Sequence, residues 1–326
     1  MKYAVIGTSW ITQSYVKAAA YTGLWELHAV CSRNYEKGHQ FACQFGASVV
    51  YTSIQQLAAD QHTQAVYIAS PNSLHYEQSK LMLQNGKHVI CEKPATVTTE
   101  EYEELKALAD ERGLIYMEAI MSMHVPAFAM LHKLLPELGK IAAVHFDFCQ
   151  LSSKYPLLCD GQNPNIFNPE FCTGALMDLG VYNLYLIAAL FGMPDQILSA
   201  SHYLPTGADN TTSGICIYPD YHVDFLCTKT GQGFSRSEIV GDKGTITIDS
   251  ISQLTGIVHS VKNGTSIELV PIEVDRTEIM SHESISFHRF ITNKEAYSTE
   301  YAHLHKTALI VRKMCDQIRK NNSFPF

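Results

Sequence analysis

Lys93, Asp178 and Tyr182 are the side chains best suited to moving a proton. Lys93 follows the apolar run Lys87 to Cys91, at the C-terminal end of what reads as a buried strand. Open α/β sheets bind their ligands at that edge. Pro94 comes next and disfavours helix at the lysine. Asp178 and Tyr182 are four residues apart and share one face of a predicted helix, with Tyr185 on the same stripe. That helix, Gly174 to Phe191, is apolar nearly all round, so a carboxylate in it is costly to desolvate unless a cation meets it. Lys93 is the candidate cation. An ammonium, a phenol and a carboxylate together can take a proton from a hydroxyl and stabilise the oxygen anion left behind.

A second constellation lies at the start of the chain. The first predicted strand, Tyr3 to Ile6, runs into Gly7-Thr8-Ser9-Trp10-Ile11-Thr12, where a dinucleotide fold carries G-x-G-x-x-G/A. Gly7 can make the tight turn that aims backbone amides and a helix N-terminus at a pyrophosphate, while Ser9 and Thr12 replace the later small residues. At the end of the second strand, where NAD-selective folds place a carboxylate, the sequence has Cys31-Ser32-Arg33. An arginine beside a hydroxyl suits a 2′-phosphate, which favours NADP over NAD.

The elements that must position these residues follow from periodicity. Up to about residue 120, apolar runs at Tyr3 to Ile6, Leu27 to Cys31, Ala65 to Ala69, Lys87 to Cys91 and Leu114 to Met117 alternate with helical patterns near 11–22, 34–45, 53–60, 75–85 and 99–112. That alternation predicts crossover units and a parallel sheet. Capping boxes are expected at Ser53 with Gln56 and at Thr98 with Glu101, and helix stops at Gly86 and Gly113. Beyond residue 140 the pattern changes. Tyr221 to Thr228 alternates, Glu238 to Ile248 is broken at Gly241-Asp242-Lys243-Gly244, and Ile257 to Val270 is broken at Asn263-Gly264, so this half is predicted mainly antiparallel. A long helix with a basic end is expected over Thr299 to Lys320.

Composition limits the alternatives. A chain of 326 residues suggests two domains, and 46% hydrophobic against 17% charged residues is ordinary globular usage. A net charge of −8 offers no basic footprint for nucleic acid. The nine cysteines contain no C-x-x-C pair, and His303 and His305 point to different helix faces, so no metal site is expected. Gly174 to Met193, the most apolar run, is interrupted by Asp178 and Asn183. The expectation is a cytoplasmic protein with reduced thiols and no membrane association.

Three segments taken together, Tyr67-Ile68-Ala69-Ser70-Pro71-Asn72-Ser73-Leu74-His75, Gly86-Lys87-His88-Val89-Ile90-Cys91-Glu92-Lys93-Pro94 and Gly174-Ala175-Leu176-Met177-Asp178-Leu179-Gly180-Val181-Tyr182, resemble the Gfo/Idh/MocA oxidoreductases. Tyr182 stands where many members carry His, which resembles the branch of dimeric dihydrodiol dehydrogenase and NADP-dependent xylose dehydrogenase. The resemblance implies an α/β chain: a doubly wound parallel Rossmann sheet over residues 1–120, then an α+β domain over 121–326. The second domain would carry a large, open, mainly antiparallel sheet that often forms a dimer interface. It further implies that Glu92, Lys93 and Pro94 line the nicotinamide pocket, and that Ser70, Pro71, Asn72 and His75 lie along the cofactor. The C-terminal helix is expected to be free to pack back on the first domain.

The expected activity is hydride transfer between NADP, or alternatively NAD, and a sugar, polyol or vicinal diol, in a homodimer or higher homo-oligomer. Tyr182 would exchange the proton, the Lys93 ammonium would stabilise the phenolate, and Asp178 would orient the substrate or the lysine. Lys93 acting as the base is the open alternative. A non-catalytic sensor of NADP and sugar on the same fold is the competing function. The segment Glu118 to His124 lacks the aromatic and Arg residues of many relatives, which leaves the substrate contacts open.

Overall fold

Ala4-Val5-Ile6, Ala29-Val30-Cys31 and Val66-Tyr67-Ile68 are all buried, as strands covered on both faces of a parallel sheet must be. The computed structural model describes residues 1–322. It divides the chain into two units: Met1–Ile120 with Asp275–Lys306, and Met121–Val274 with the chain from Thr307.

The first unit opens with β1 (Lys2–Ile6), α1 (Trp10–Thr22), β2 (Glu26–Cys31), α2 (Tyr35–Phe45), β3 (Val49–Tyr51), α3 (Ile54–Ala59) and β4 (Ala65–Ile68). It continues with α4 (His75–Gln84), β5 (His88–Glu92), α5 (Thr99–Glu111) and β6 (Tyr116–Ala119). The strand order β3-β2-β1-β4-β5-β6, with every pair parallel, is the doubly wound arrangement, and its order reverses between β1 and β4. The crevice at the carboxyl ends of those two strands is where such sheets take their ligands.

Local signals mostly act as expected, with two corrections. Thr98 Oγ1 accepts from the Glu101 N–H at 3.2 Å, and Glu101 Oε2 accepts from the Thr98 N–H at 3.3 Å, which completes that capping box. At Ser53 no box forms, because its hydroxyl donates to Gln55 Oε1 at 2.8 Å and accepts no first-turn N–H. The strand expected over Leu114 to Met117 runs instead over Tyr116–Ala119. Leu114 is still closing α5, its N–H donating to Ala109 O at 2.8 Å past the left-handed Gly113.

The second unit contains α6 (Pro126–Leu134), β7 (Ile141–Cys149), α7 (Tyr155–Cys159), a π turn (Leu176–Gly180), α8 (Val181–Phe191), β8 (Gln196–Tyr203), β9 (Asp209–Ile217) and β10 (His222–Thr228). After these come β11 (Ser237–Gly241), β12 (Gly244–Ile248), β13 (Ile257–Val261) and β14 (Ser266–Val270). They form one eight-stranded sheet, β14-β13-β12-β11-β7-β10-β9-β8, antiparallel at every pairing except β7 with β10. Asn263-Gly264 makes the predicted hairpin turn, with Gly264 at φ +88°.

The helix expected as one piece from Gly174 is two. Val181 N–H reaches back five residues to Leu176 O, a π turn, before α8 becomes regular. Gly180 lets this turn lie close against β10: a Cβ there would lie 2.9 Å from Cys227 Sγ. Pro169–Phe191 is long and apolar enough to cross a membrane, yet 78% of its most apolar window is buried, as in a core helix.

The last elements are α9 (Arg276–Thr292) and α10 (Ser298–Asn321), and the boundary between units falls inside α10. No strong pattern announced α9. It belongs to the first unit, where Trp25 stacks on Phe287 at 5.5 Å and donates from Nε1 to Ser284 O at 3.2 Å. Tyr301 covers the exposed edge of β6. Its hydroxyl accepts from the Tyr116 N–H and donates to the Tyr116 carbonyl, both at 3.0 Å, satisfying groups an edge strand leaves open.

Candidate active site

Gly7 turns sharply out of β1 at φ +108°, and a Cβ at this position would lie 2.7 Å from Ala69 O. Only glycine fits this cradle. Ser9 is the N-cap of α1, but its hydroxyl meets Thr12 Oγ1 at 3.2 Å and caps no amide. No acidic side chain stands in the first turn. The amides at the start of α1, in the stretch Thr8, Ser9, Trp10 and Ile11, are therefore left for an anion, and the helix dipole favours one there.

At the end of β2, Ser32 Oγ donates to Asn34 O at 3.0 Å, and Asn34 in turn caps α2 through the Lys37 N–H at 2.9 Å. The hydroxyl thus shapes the loop. Arg33 is exposed beside it. Gly38 packs so near that an added Cβ would lie 3.1 Å from Ser32 Cβ, bringing α2 against this loop.

The ends of β4 and β5 carry the next group. Ser70 Oγ donates to Gln78 Oε1 at 2.8 Å, and Pro71 leads into the 3₁₀ turn Asn72–Leu74. His75 is buried, with Nδ1 2.8 Å from Pro94 O and Nε2 2.8 Å from Ser70 O. Burial holds its basicity below the usual histidine range, so the ring acts as a strut between the β4 and β5 loops. Lys93 is half-buried in that second loop, and its peptide bond to Pro94 is cis.

Glu92 accepts from the Tyr67 hydroxyl at 2.5 Å and from the Lys93 N–H at 3.2 Å. Desolvation pushes its carboxyl up, opposed by the Lys93 charge and the Tyr67 hydroxyl. Tyr67 stacks on Tyr15 at 3.8 Å, and Glu283 of α9, 1% exposed, is pushed well up by burial and by the Glu92 charge. Two carboxyl groups, the half-buried Glu92 and the buried Glu283, therefore back the lysine loop. Glu283 carried no sequence signal, because α9 itself did not stand out.

In the second unit the sequence had named Asp178 and Tyr182. From Thr173 to Ala189 every residue is buried except these two. Tyr182 lies edge-on to Phe148 of β7 at 5.6 Å. Asp178 Oδ2 forms an ion pair with Lys229, which follows β10 and is buried. The sequence had required a cation for Asp178 and named Lys93; Lys229 supplies one within the same unit. Its only signal was its place after the alternating strand Tyr221 to Thr228.

Asp209 anchors this site from beneath, its Oδ2 accepting from the Leu176 N–H at 2.8 Å and from Thr212 Oγ1 at 2.9 Å. Gly174, at φ +142°, lets the carboxylate in: a Cβ there would lie 1.9 Å from Asp209 Oδ1.

A parallel sheet with a glycine cradle and an uncapped helix start at its switch point, and an arginine after the neighbouring β2, fits a nicotinamide dinucleotide and defines a dinucleotide-binding fold. Comparison with known proteins agrees. Residues 1–120 match the model of the GFO/IDH/MocA oxidoreductase family, NAD-binding Rossmann fold, and residues 133–247 match its C-terminal domain. An uncharacterised oxidoreductase of Escherichia coli, YgjR, is 39% identical over 78% of this chain and 77% of its own. The NADP(+)-dependent scyllo-inositol 2-dehydrogenase IolU of Bacillus subtilis is 34% identical over 98% and 96%. Mouse trans-1,2-dihydrobenzene-1,2-diol dehydrogenase is 30% identical over 76% and 72%. The chain belongs to the GFO/IDH/MocA oxidoreductase family.

Proposed function

We propose that this oxidoreductase is NADP-dependent and interconverts a carbohydrate-like alcohol and its carbonyl, with a polyol, sugar or vicinal diol as substrate. The named relatives act on inositol and on a cyclic trans-diol, both rings with neighbouring hydroxyls. Arg33, exposed where a carboxylate would select NAD, supports NADP, as does the cofactor in the name of the inositol dehydrogenase.

The observation that carries the chemistry is a pair of openings in the buried stretch Thr173 to Ala189: Asp178 on the π turn and Tyr182 on α8 are its only residues that are not buried. The bound nicotinamide would take the hydride from the carbinol carbon, or return it. In oxidation the Tyr182 side chain, as phenolate, takes the hydroxyl proton as the carbonyl forms; in reduction the phenol returns it. Lys93, after β5, lowers the cost of the phenolate and of the developing alkoxide. Asp178, its direction fixed by Lys229, receives substrate hydroxyls.

The test is turnover at the reduced-nicotinamide absorbance band, with NADP and NAD against aldoses, polyols and diols. Tyr182→Phe is expected to lower kcat by about 10²–10⁴-fold. Full turnover in Tyr182→Phe together with its loss in Lys93→Met would make the lysine the base. Dinucleotide binding without turnover across the panel would favour a sensor.

Assembly and compartment belong to the same proposal. Leu198 and Ile215, cross-strand neighbours on β8 and β9, are 48% and 41% exposed, which supports a homodimer formed through the large sheet. All nine cysteines are free thiols, in keeping with the reducing cytoplasm.

A further inference from the structure

Arg276, the first residue of α9, holds its guanidinium over the Trp10 ring at 5.2 Å. Trp10 is the first residue of α1 and is 65% exposed, so the stack stands in solvent at the uncapped helix start beside Gly7. We propose that Arg276 is a binding residue for the pyrophosphate of the dinucleotide, presented by Trp10 and supplied by a segment more than 260 residues from the glycine turn in sequence.

Five considerations support this assignment, which rests on the dinucleotide reading above. A cation stacked on an aromatic face keeps its in-plane N–H donors free, the geometry that phosphate oxygens accept. Among the described residues no carboxylate forms an ion pair with Arg276. The neighbouring Asp275 carboxylate is engaged in capping α9 through the Thr277 N–H at 2.6 Å. Trp10 begins the helix that follows β1, so the stacked guanidinium stands at the carboxyl end of the sheet, where the ligand binds. In a chain of net charge −8, a cation at this point also offsets repulsion of a polyanionic cofactor.

Arg276 and Arg33 then divide the cofactor between them. Arg33, after β2, reads the 2′-phosphate that only NADP carries; Arg276 meets the pyrophosphate common to both dinucleotides. Isothermal titration of the full chain with NADPH and NADH separates the roles. Arg276→Ala is expected to raise Kd for both by a similar factor, about tenfold for a lost charge-assisted contact, with the thermal midpoint unchanged because the side chain is exposed. Arg276→Lys is expected to recover part of the loss. An unchanged Kd in Arg276→Ala, or a loss confined to NADPH, overturns the assignment while leaving the proposed function intact. Failure of the wild-type chain to bind either dinucleotide would overturn both.

Discussion

Lys229 and Asp178 form an ion pair between the end of β10 and the π turn that precedes α8, with side chains 6% and 25% exposed. The pair fixes the direction of a carboxylate that a regular apolar helix would otherwise have to leave undefined. Thr212, on the strand next to β10, and Asp209 hold the same turn from the other end. The turn that carries Asp178 and leads into α8 is therefore positioned by hydrogen bonds and charge as well as by packing.

Removing the cation should expose this dependence. Lys229→Met is expected to lower kcat more than it raises KM, and to cost about 1–3 kcal/mol of stability. That is below the ~3–5 kcal/mol for breaking a fully buried pair, since Asp178 keeps some contact with water. Steady-state kinetics and urea denaturation measure the two effects. If Lys229→Met alters stability alone, the pair serves only the fold.

Cofactor choice should follow the β2 loop. Arg33→Ala is expected to raise KM for NADP about tenfold, the worth of one charge-assisted contact, and to leave KM for NAD nearly unchanged. The measurement is the ratio of kcat/KM for the two cofactors with one substrate. A ratio that already favours NAD in the wild type, and does not move in the variant, would remove Arg33 from the site.

Asp209 makes stability depend on pH. Burial raises its carboxyl from 3.8 to about 6, against the opposing Leu176 N–H, Thr212 hydroxyl and Lys229 charge. Between those values the folded protein keeps a proton that the unfolded chain has released, so this contribution falls as pH rises through the window. Above it, the ionised buried group costs about 3 kcal/mol. Asp209→Asn, which can still accept from Leu176, should flatten the trend. Urea midpoints of wild type and variant should differ least at about pH 4 and separate, with wild type the less stable, toward about pH 7. A constant difference would show that Asp209 does not titrate there.

How much was legible depended on whether the signal was local. Gly7 after a buried strand, the Thr98–Glu101 box and the Asn263-Gly264 turn are set by neighbouring residues and could be read directly. The short β3 offered three residues, too few for periodicity. In α9 half of the buried positions, Ser281, Glu283, Ser284 and Ser286, are polar, so the apolar stripe of Ile279, Met280, Phe287 and Phe290 was blurred. The close approach of Gly180, at the end of the π turn, to Cys227 joins residues 47 apart, a contact no window contains. Asp178 announced its need for a cation; nothing near Lys229 distinguished it from a surface lysine.

The return of Asp275–Lys306 to the first unit fixes an order of events during synthesis. The strands of the six-stranded sheet leave the ribosome early, but the whole of Met121–Val274 must be made before α9 exists to cover Trp25. At roughly 5–20 residues per second the wait is about ten to thirty seconds. Through that interval the nascent chain carries Trp25 without the Phe287 ring that later covers it.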